Sequence, residues 1–218
     1  MFSKLFNNNI TMDILKELDT GDIILYQTSF WYSRLIEYFT CSQYSHISIV
    51  LKNPTWLCED LTEEYYLLES GGEVFNDAIT NKKIFGVQVI PFHKVFNEYR
   101  NKNYGHLYYR KLKTDIKIDE IQTKIKEIYK TIQGDPYDLN PCDWIAALND
   151  INKPLDEISG FQKTNTFWCS ALVAYIYSLL GFLDKKIPWT IISPSDFCCN
   201  NKRLNYINCS LDNDKLLV

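Results

Sequence analysis

Short runs of β-branched and aromatic residues fill the first half of the chain and predict a sheet. The run Ile23–Gln27 follows a Gly-Asp turn, which is typical of a short buried strand. In Tyr44–Leu51, apolar and polar residues alternate from Ile47 onward, which predicts a strand with two different faces. Similar runs predict strands at Tyr65–Ser70, Gly86–Ile90 and Leu107–Leu112. The first half therefore contains about five strands, with one helix expected at Phe30–Phe39.

Helical spacing dominates the second half. Isoleucines recur every three or four residues across Asp119–Gln133, which predicts an amphipathic helix ended by Gly134. The uncharged run Phe167–Leu183 contains several polar residues, so it predicts a buried core helix ending near Gly181 rather than a membrane span. Weaker signals predict a short helix at Asp143–Asp150, a helix start at Ser193–Asp196 and a strand at Arg203–Leu211.

The order of these elements defines the expected architecture. Strands that come first and helices that follow favour an α+β fold, with an antiparallel sheet packed against helices on one side. No linker rich in Pro, Gly or Ser divides the chain, and 218 residues suit one domain. We therefore expect a single domain over residues 1–218, with residues 1–18 as an N-terminal extension.

Composition narrows the partners and the compartment. A net charge of −4 and a pI near 5.4 give no bulk attraction for nucleic acid, so we expect no nucleic-acid partner and no transmembrane segment. The start of the chain lacks an apolar run of signal-peptide length, and the 7 cysteines are irregularly spaced. Both features favour reduced thiols and a cytoplasmic location. Lys greatly outnumbers Arg, which is typical of AT-rich genomes such as those of large DNA viruses, so a virion or host cytoplasm falls within that expectation.

One cysteine stands at the predicted start of the long apolar helix. Cys169 would there meet the positive end of the helix dipole and unpaired N–H groups, which favour a thiolate. Its own backbone N–H could also donate to an oxyanion. Cysteine in an apolar helix is more often an inert core residue, so position alone does not make Cys169 a nucleophile.

Two further residues have the chemistry to activate such a thiol. His46 lies on the alternating strand and can exchange a proton with Cys169, and Glu69 ends the next strand and can orient the imidazole. Each has an ordinary alternative, His46 as a hydrogen-bonded strand residue and Glu69 as a carboxylate before a turn. Together they predict a triad, provided that the sheet and the helix start come together.

The sequence gives weaker evidence for a functional role of other residues. Four polar or aromatic residues are expected to line the substrate site: Tyr26, Gln27, Tyr44 and Trp168. A zinc site from Cys41, His46 and Cys58 matches no familiar spacing, and the adjacent Cys198 and Cys199 lack the usual spacing for one metal. No glycine-rich phosphate loop occurs in the sequence. We therefore expect neither a metal nor an organic cofactor.

Several short motifs occur in the order found in a known family. They are Gly21–Leu25, Tyr44–Val50, Leu68–Ser70, Gly134–Asp138, Phe167–Val173 and Ile192–Phe197. On these motifs the chain resembles the circularly permuted papain-fold cysteine hydrolases of the YiiX type. They belong to the wider NlpC-related superfamily, which has poxvirus and lecithin:retinol acyltransferase-like relatives. The resemblance implies a permuted papain-like fold with Cys169 as nucleophile, His46 as base and Glu69 as third residue. Ala171 departs from the pattern, because many relatives carry an acidic residue there.

The residues and the resemblance lead to one functional expectation. The protein is expected to be a cysteine-dependent hydrolase, an amidase or peptidase, that works through an acyl-thioester on Cys169. Its substrate is expected to be a peptide, an amide-linked conjugate or an acyl-lipid. Two alternatives stay open: a lipid-directed thiol acyltransferase or phospholipase, and a non-catalytic module that binds peptide or lipid on the same fold.

Overall fold

The computed structural model describes most of the chain, namely residues 15–28, 43–72, 74–102, 104–140, 142 and 153–218. The helices predicted at Phe30–Phe39 and Asp143–Asp150 lie outside these residues, as does Cys41. Most of the predicted N-terminal extension also lies outside them.

A six-stranded antiparallel sheet forms the centre of the fold. The strands of the described residues are β1 Ile23–Thr28, β2 His46–Lys52, β3 Tyr65–Gly71, β4 Gly86–Pro91, β5 Gly105–Arg110, β6 Leu112–Thr114, β7 Cys209–Leu211 and β8 Lys215–Leu216. The main sheet has the spatial order β4-β3-β2-β1-β5-β8, so β2 and β3 are neighbours. Strands β6 and β7 form a separate antiparallel pair.

Three α-helices that are described over their full length pack on the main sheet or on one another. They are α1 Phe92–Lys102, α2 Ile118–Ile132 and α3 Cys169–Leu180. Helix α2 confirms the predicted amphipathic helix, and Gly134 follows it with a φ of 78°. Among the helices described, none has both the length and the apolar character required to cross a membrane.

Apolar residues on the two faces of the sheet form separate clusters. Along β1, Ile23 and Leu25 belong to the cluster that contains α2 and α3, whereas Ile24 and Tyr26 belong to the cluster of α1. The expectation that the helices lie on one side of the sheet is therefore wrong. Helix α1 is not among the predicted elements, and it covers the opposite face through residues such as Phe92. The α+β class with an antiparallel sheet is confirmed.

The five strands predicted in the first half are present, and the predictions at two places need correction. The predicted strand Leu107–Leu112 divides into β5 and β6, because β5 pairs with β1 whereas β6 pairs with β7. The predicted strand Arg203–Leu211 is confined to Cys209–Leu211, since these are the residues that pair with β6. The predicted helix start at Ser193–Asp196 is present as the 3-10 turn Pro194–Phe197.

Helix α3 begins later than predicted, and this places Cys169 at its first position. Phe167 instead forms a parallel bridge with Tyr137, and its N–H donates to the carbonyl of Pro136 at 3.2 Å. At the other end, Gly181 adopts a φ of 85°, a left-handed conformation that glycine accepts readily and that ends the helix.

Candidate active site

Hydrogen bonds from two serines fix the start of helix α3 against its neighbours. Helix α3 contacts both β2 and β3. The buried Ser70 Oγ in β3 donates to the carbonyl of Phe167 at 2.5 Å, and the buried Ser170 Oγ donates to the carbonyl of Ile192 at 2.6 Å. Cys169 lies between these two anchored positions and is buried. The nucleophile predicted from the sequence is therefore held at the edge where α3 meets β2 and β3.

His46 at the start of β2 and Glu69 in β3 form a close ion pair. The Nε2 atom of His46 donates to Oε2 of Glu69 at 2.8 Å. The side chains are 21% and 7% exposed, so water and salt screen the pair only weakly. Gln88 lies opposite Glu69 on β4 and donates from Nε2 to Glu69 Oε1 at 3.0 Å and to the Gly72 carbonyl at 3.2 Å. Each carboxylate oxygen of Glu69 thus has a donor, which fixes its orientation toward the imidazole.

The imidazole also contacts the side chain of Cys169. Burial disfavours the charged form of His46, but the Glu69 carboxylate and the charge and hydrogen bond of Cys169 outweigh it and raise the pKa of His46 to about 10. Since Glu69 occupies Nε2, the ring nitrogen left for the sulfur is Nδ1. At neutral pH the ring is therefore an imidazolium between a carboxylate and the Cys169 sulfur. The structure brings the three predicted triad residues together.

Tyr26, one of the predicted substrate residues, lies against His46. Its ring meets the imidazole edge-on with centroids 4.8 Å apart, and its hydroxyl is 3.0 Å from the Ser48 Oγ. Burial, followed by the negative charge of Glu69, raises the pKa of Tyr26 well above its ordinary value. Tyr26 is therefore a protonated phenol that limits the positions open to the imidazole.

Tyr137 is a second aromatic neighbour, and it is not among the predicted site residues. Its ring stacks on Phe85 with centroids 5.0 Å apart. Burial, followed by the charge of Cys169, raises the pKa of Tyr137, so its hydroxyl keeps its proton. The motif Gly134–Asp138 is the sequence signal that contains this residue.

The other three predicted substrate residues have different surroundings. Trp168 is buried and directly precedes Cys169 as the residue before α3. Gln27 Oε1 accepts a hydrogen bond from β5 at 3.5 Å. Tyr44 is buried, and its hydroxyl donates to Asp214 Oδ2 at 2.7 Å. Tyr44 therefore belongs to a polar cluster around Asp214 rather than to the group around Cys169.

A group of possible metal ligands occurs at this second cluster. Within the described residues, one ligand atom each from Cys198, Cys199 and Asp214 lies within 4.8 Å of the others. The sequence prediction assigns no metal to the adjacent cysteines, yet the fold brings their sulfurs and a distant carboxylate together. Asp214 carries no sequence signal of its own, because its position depends on the pairing of the last strand with β5.

Comparisons with known proteins give a distant structural likeness. No protein-family model matches the chain, and no curated protein matches it significantly. The chain is similar to the crystal structure of the metalloprotein yiiX from Escherichia coli O157:H7, with 19% sequence identity and a TM-score of 0.45. The match covers 74% of this chain and 66% of that chain, slightly less than two thirds of its length. Function must therefore be inferred from the side chains of the site.

Proposed function

We propose that the protein is a cysteine-dependent hydrolase in which Cys169, His46 and Glu69 act as a triad. The observation that carries this proposal is the buried 2.8 Å contact between His46 and Glu69, on an imidazole that also meets the Cys169 sulfur. Nucleophile, proton carrier and orienting carboxylate are the three roles that thiol catalysis requires. They come from three separate elements whose positions are fixed by buried hydrogen bonds.

In the first half-reaction the Cys169 sulfur attacks the substrate carbonyl carbon. In the proposed resting state this sulfur's proton is held by His46, whose pKa is raised to about 10. As the tetrahedral intermediate collapses, His46 gives this proton to the leaving nitrogen and the C–N bond breaks. An acyl-thioester remains on Cys169, and the imidazole is neutral.

In the second half-reaction water releases the acyl group. The neutral His46 takes a proton from water, and the resulting hydroxide attacks the thioester carbonyl. The C–S bond breaks, the carboxylic acid leaves, and the proton on His46 restores the resting pair with the sulfur. Glu69 keeps the ring in the orientation that both steps require.

Two groups near the sulfur can donate to the oxyanion. The backbone N–H of Cys169 belongs to the first turn of α3, where N–H groups have no acceptor within the helix. The Tyr137 hydroxyl is protonated because its pKa is raised by burial and by Cys169. Both donors act on a carbonyl oxygen that gains charge in the transition state.

The resting imidazolium favours an amide as the scissile bond. An amine leaves only when it is protonated, and His46 already carries the proton. A peptide or an amide-linked conjugate is therefore the proposed substrate, and an acyl-lipid ester is the less favoured one. The His46, Glu69, Cys169 order along the chain, with the cysteine on a helix beside an antiparallel sheet, supports a permuted papain-like arrangement. The cysteines of the described residues are unpaired thiols, which supports a reducing compartment.

An activated ester tests the covalent step without knowledge of the natural substrate. Mixing the protein with p-nitrophenyl acetate should release p-nitrophenol in a burst of one equivalent, with acetyl found on Cys169 by mass spectrometry. Cys169→Ala should abolish the burst, and His46→Ala should slow acylation by about 10²- to 10⁴-fold. The matched control is Cys58→Ala, which removes another thiol and should leave the burst unchanged.

Two results of this experiment count against the proposal. Acetylation spread over several cysteines without a burst would show that Cys169 is not activated. A burst that survives Cys169→Ala would assign the chemistry to another residue. If the burst behaves as expected, a library of N-acylated peptides then distinguishes amide hydrolysis from esterase activity alone.

A further inference from the structure

A second cluster of reactive side chains lies apart from the proposed triad. Cys198 follows the 3-10 turn Pro194–Phe197, Cys199 is the next residue, and Asp214 directly precedes β8. One ligand atom from each lies within 4.8 Å of the others, and Cys198 Sγ is 3.3 Å from Asp214 Oδ2. The cluster therefore combines two soft sulfur donors and one oxygen donor from distant parts of the sequence.

We propose that Cys198, Cys199 and Asp214 bind a zinc ion. Zinc prefers a tetrahedral set of Cys, His and carboxylate ligands, with Zn–S near 2.3 Å and Zn–O near 2.0–2.2 Å. These bond lengths place a sulfur and an oxygen ligand about 3.5 Å apart in a tetrahedron. The Cys198–Asp214 distance of 3.3 Å is close to that separation. Only small side-chain movements are needed for the three donors to converge on one ion.

The Asp214 carboxylate is already oriented by several donors. The Tyr44 hydroxyl donates to Oδ2 at 2.7 Å, the Cys199 backbone N–H donates to Oδ1 at 3.0 Å, and Arg110 Nε lies 3.3 Å from Oδ1. Metal-binding carboxylates in proteins are held by such outer hydrogen bonds. This arrangement fixes Asp214, and the lone pair of Oδ2 that accepts from the Cys198 thiol becomes available to the ion once that thiol loses its proton.

The charges of the cluster and its surroundings also fit a zinc ion. Two thiolates and a carboxylate carry three negative charges, which zinc and the Arg110 guanidinium together neutralise. Arg110 is only 7% exposed at its side chain, so this neutralisation occurs where uncompensated charge is costly. In the structure the Cys198 thiol donates a hydrogen bond to Asp214 Oδ2 at 3.3 Å. Zinc would displace the proton of this thiol.

A zinc ion has a fourth coordination position, and one of the three proposed ligands, Cys198, borders a cavity. Cys198 and Gln43 both line a cavity of about 1450 Å³, and Gln43 Nε2 lies 3.3 Å from Cys198 Sγ. Three protein ligands leave room for a water molecule at this position. The proposed site therefore resembles open zinc centres more than closed structural ones.

Direct titration of the full chain tests this site by a readout that needs no catalytic activity. Protein freed of metal with a chelator should bind one equivalent of Zn²⁺ in calorimetry, and Co²⁺ should give the strong absorption of a thiolate-bound ion. Cys199→Ser and Asp214→Asn should weaken binding by more than about 100-fold, beyond the loss typical of outer-shell changes. Cys209→Ser is the matched control, because its thiol lies outside the cluster and should leave binding unchanged.

Alkylation of the wild-type protein tests the same site without any substitution. Misfolding of a variant therefore cannot explain its result. Zinc should protect Cys199 from iodoacetamide and leave the exposed Cys142 unprotected. Failure to bind zinc at micromolar concentrations would overturn the proposal. Protection confined to Cys169 would also overturn it, because the ion would then sit in the proposed triad.

Discussion

Replacing Glu69 with glutamine tests the electrostatic basis of the site. The substitution keeps the size of the side chain but removes the charge 2.8 Å from His46 Nε2. Burial lowers the pKa of His46, but nearby groups raise it from 6.5 to about 10. The charge of Glu69 comes first among these groups, and the charge of Cys169 follows. A shift of this size corresponds to a preference of about 5 kcal/mol for the charged ring. Loss of one opposite charge at this distance should lower the pKa by about 1–3 units.

Proton NMR measures this change directly. The chain has 3 histidines, so the imidazole resonances can be assigned by single substitutions. The His46 resonance should titrate near pH 10 in the wild-type protein and at lower pH in Glu69→Gln. Cys169→Ser should also lower the midpoint, because the charge and the hydrogen bond of Cys169 both raise the pKa of His46.

An exposed pair of the same chemistry provides the matched control. Glu63 Oε2 lies 2.5 Å from His93 Nδ1, with side chains 41% and 51% exposed. Glu63→Gln removes an equivalent carboxylate and should leave the His46 titration unchanged. A wild-type His46 midpoint near 6.5, or an unchanged midpoint in Glu69→Gln, would refute the proposed electrostatic role of Glu69.

Three further predictions concern the same region and the core. A Cβ added at Gly71 would stand 2.5 Å from Glu69 Oε1, so Gly71→Ala should displace the carboxylate and slow alkylation of the nucleophile, whereas Gly72→Ala meets only ordinary contacts and should not. Because the folded pKa of His46 lies above its unfolded value, its stabilising contribution is complete below pH 6.5 and is lost as pH rises to about 10. The unfolding free energy of wild type minus that of His46→Gln, measured in urea, should decline across that window. Ile125 is fully buried in α2, so Ile125→Ala should cost about 2–5 kcal/mol in the same assay, and a loss below 1 kcal/mol would contradict the assigned core.

The three residues of the proposed triad could be picked out from the sequence because each lies in a recognisable local pattern. His46 begins a strand of clear alternation, Glu69 lies just before a pair of glycines, and Cys169 begins an apolar helix. These signals are carried by neighbouring residues along the chain, so they do not depend on tertiary contacts. Their convergence depends on the neighbouring positions of β2 and β3, which the sequence order only suggests.

Helix α1 has a helical pattern of apolar residues in the sequence, but the adjoining strand pattern of β4 hides it. Its buried residues Phe92, Val95, Phe96 and Tyr99 recur at helical spacing. The helix starts directly after the last residue of β4, without an intervening turn to separate the two patterns. A strand that runs straight into a helix therefore conceals the change from one periodicity to the other.

Contacts that depend on strand register could not be predicted from the local sequence. Gln88 meets Glu69 because the two residues are directly opposite in β4 and β3. Asp214 reaches Cys198 because the chain returns to β5 near its end. Such partners are set by how distant segments pair, which depends on the whole fold rather than on nearby residues.

The most direct test of the proposed triad is the pH dependence of iodoacetamide labelling at Cys169, followed by mass spectrometry. Burial raises the pKa of Cys198 to about 11 and that of Cys209 to about 12, so these two thiols serve as slow internal references. We expect Cys169 to label faster than both below pH 7, and to lose this advantage in His46→Ala. Labelling of Cys169 only at alkaline pH, or at the same rate in His46→Ala, would contradict an activated cysteine and favour a binding module on the same fold.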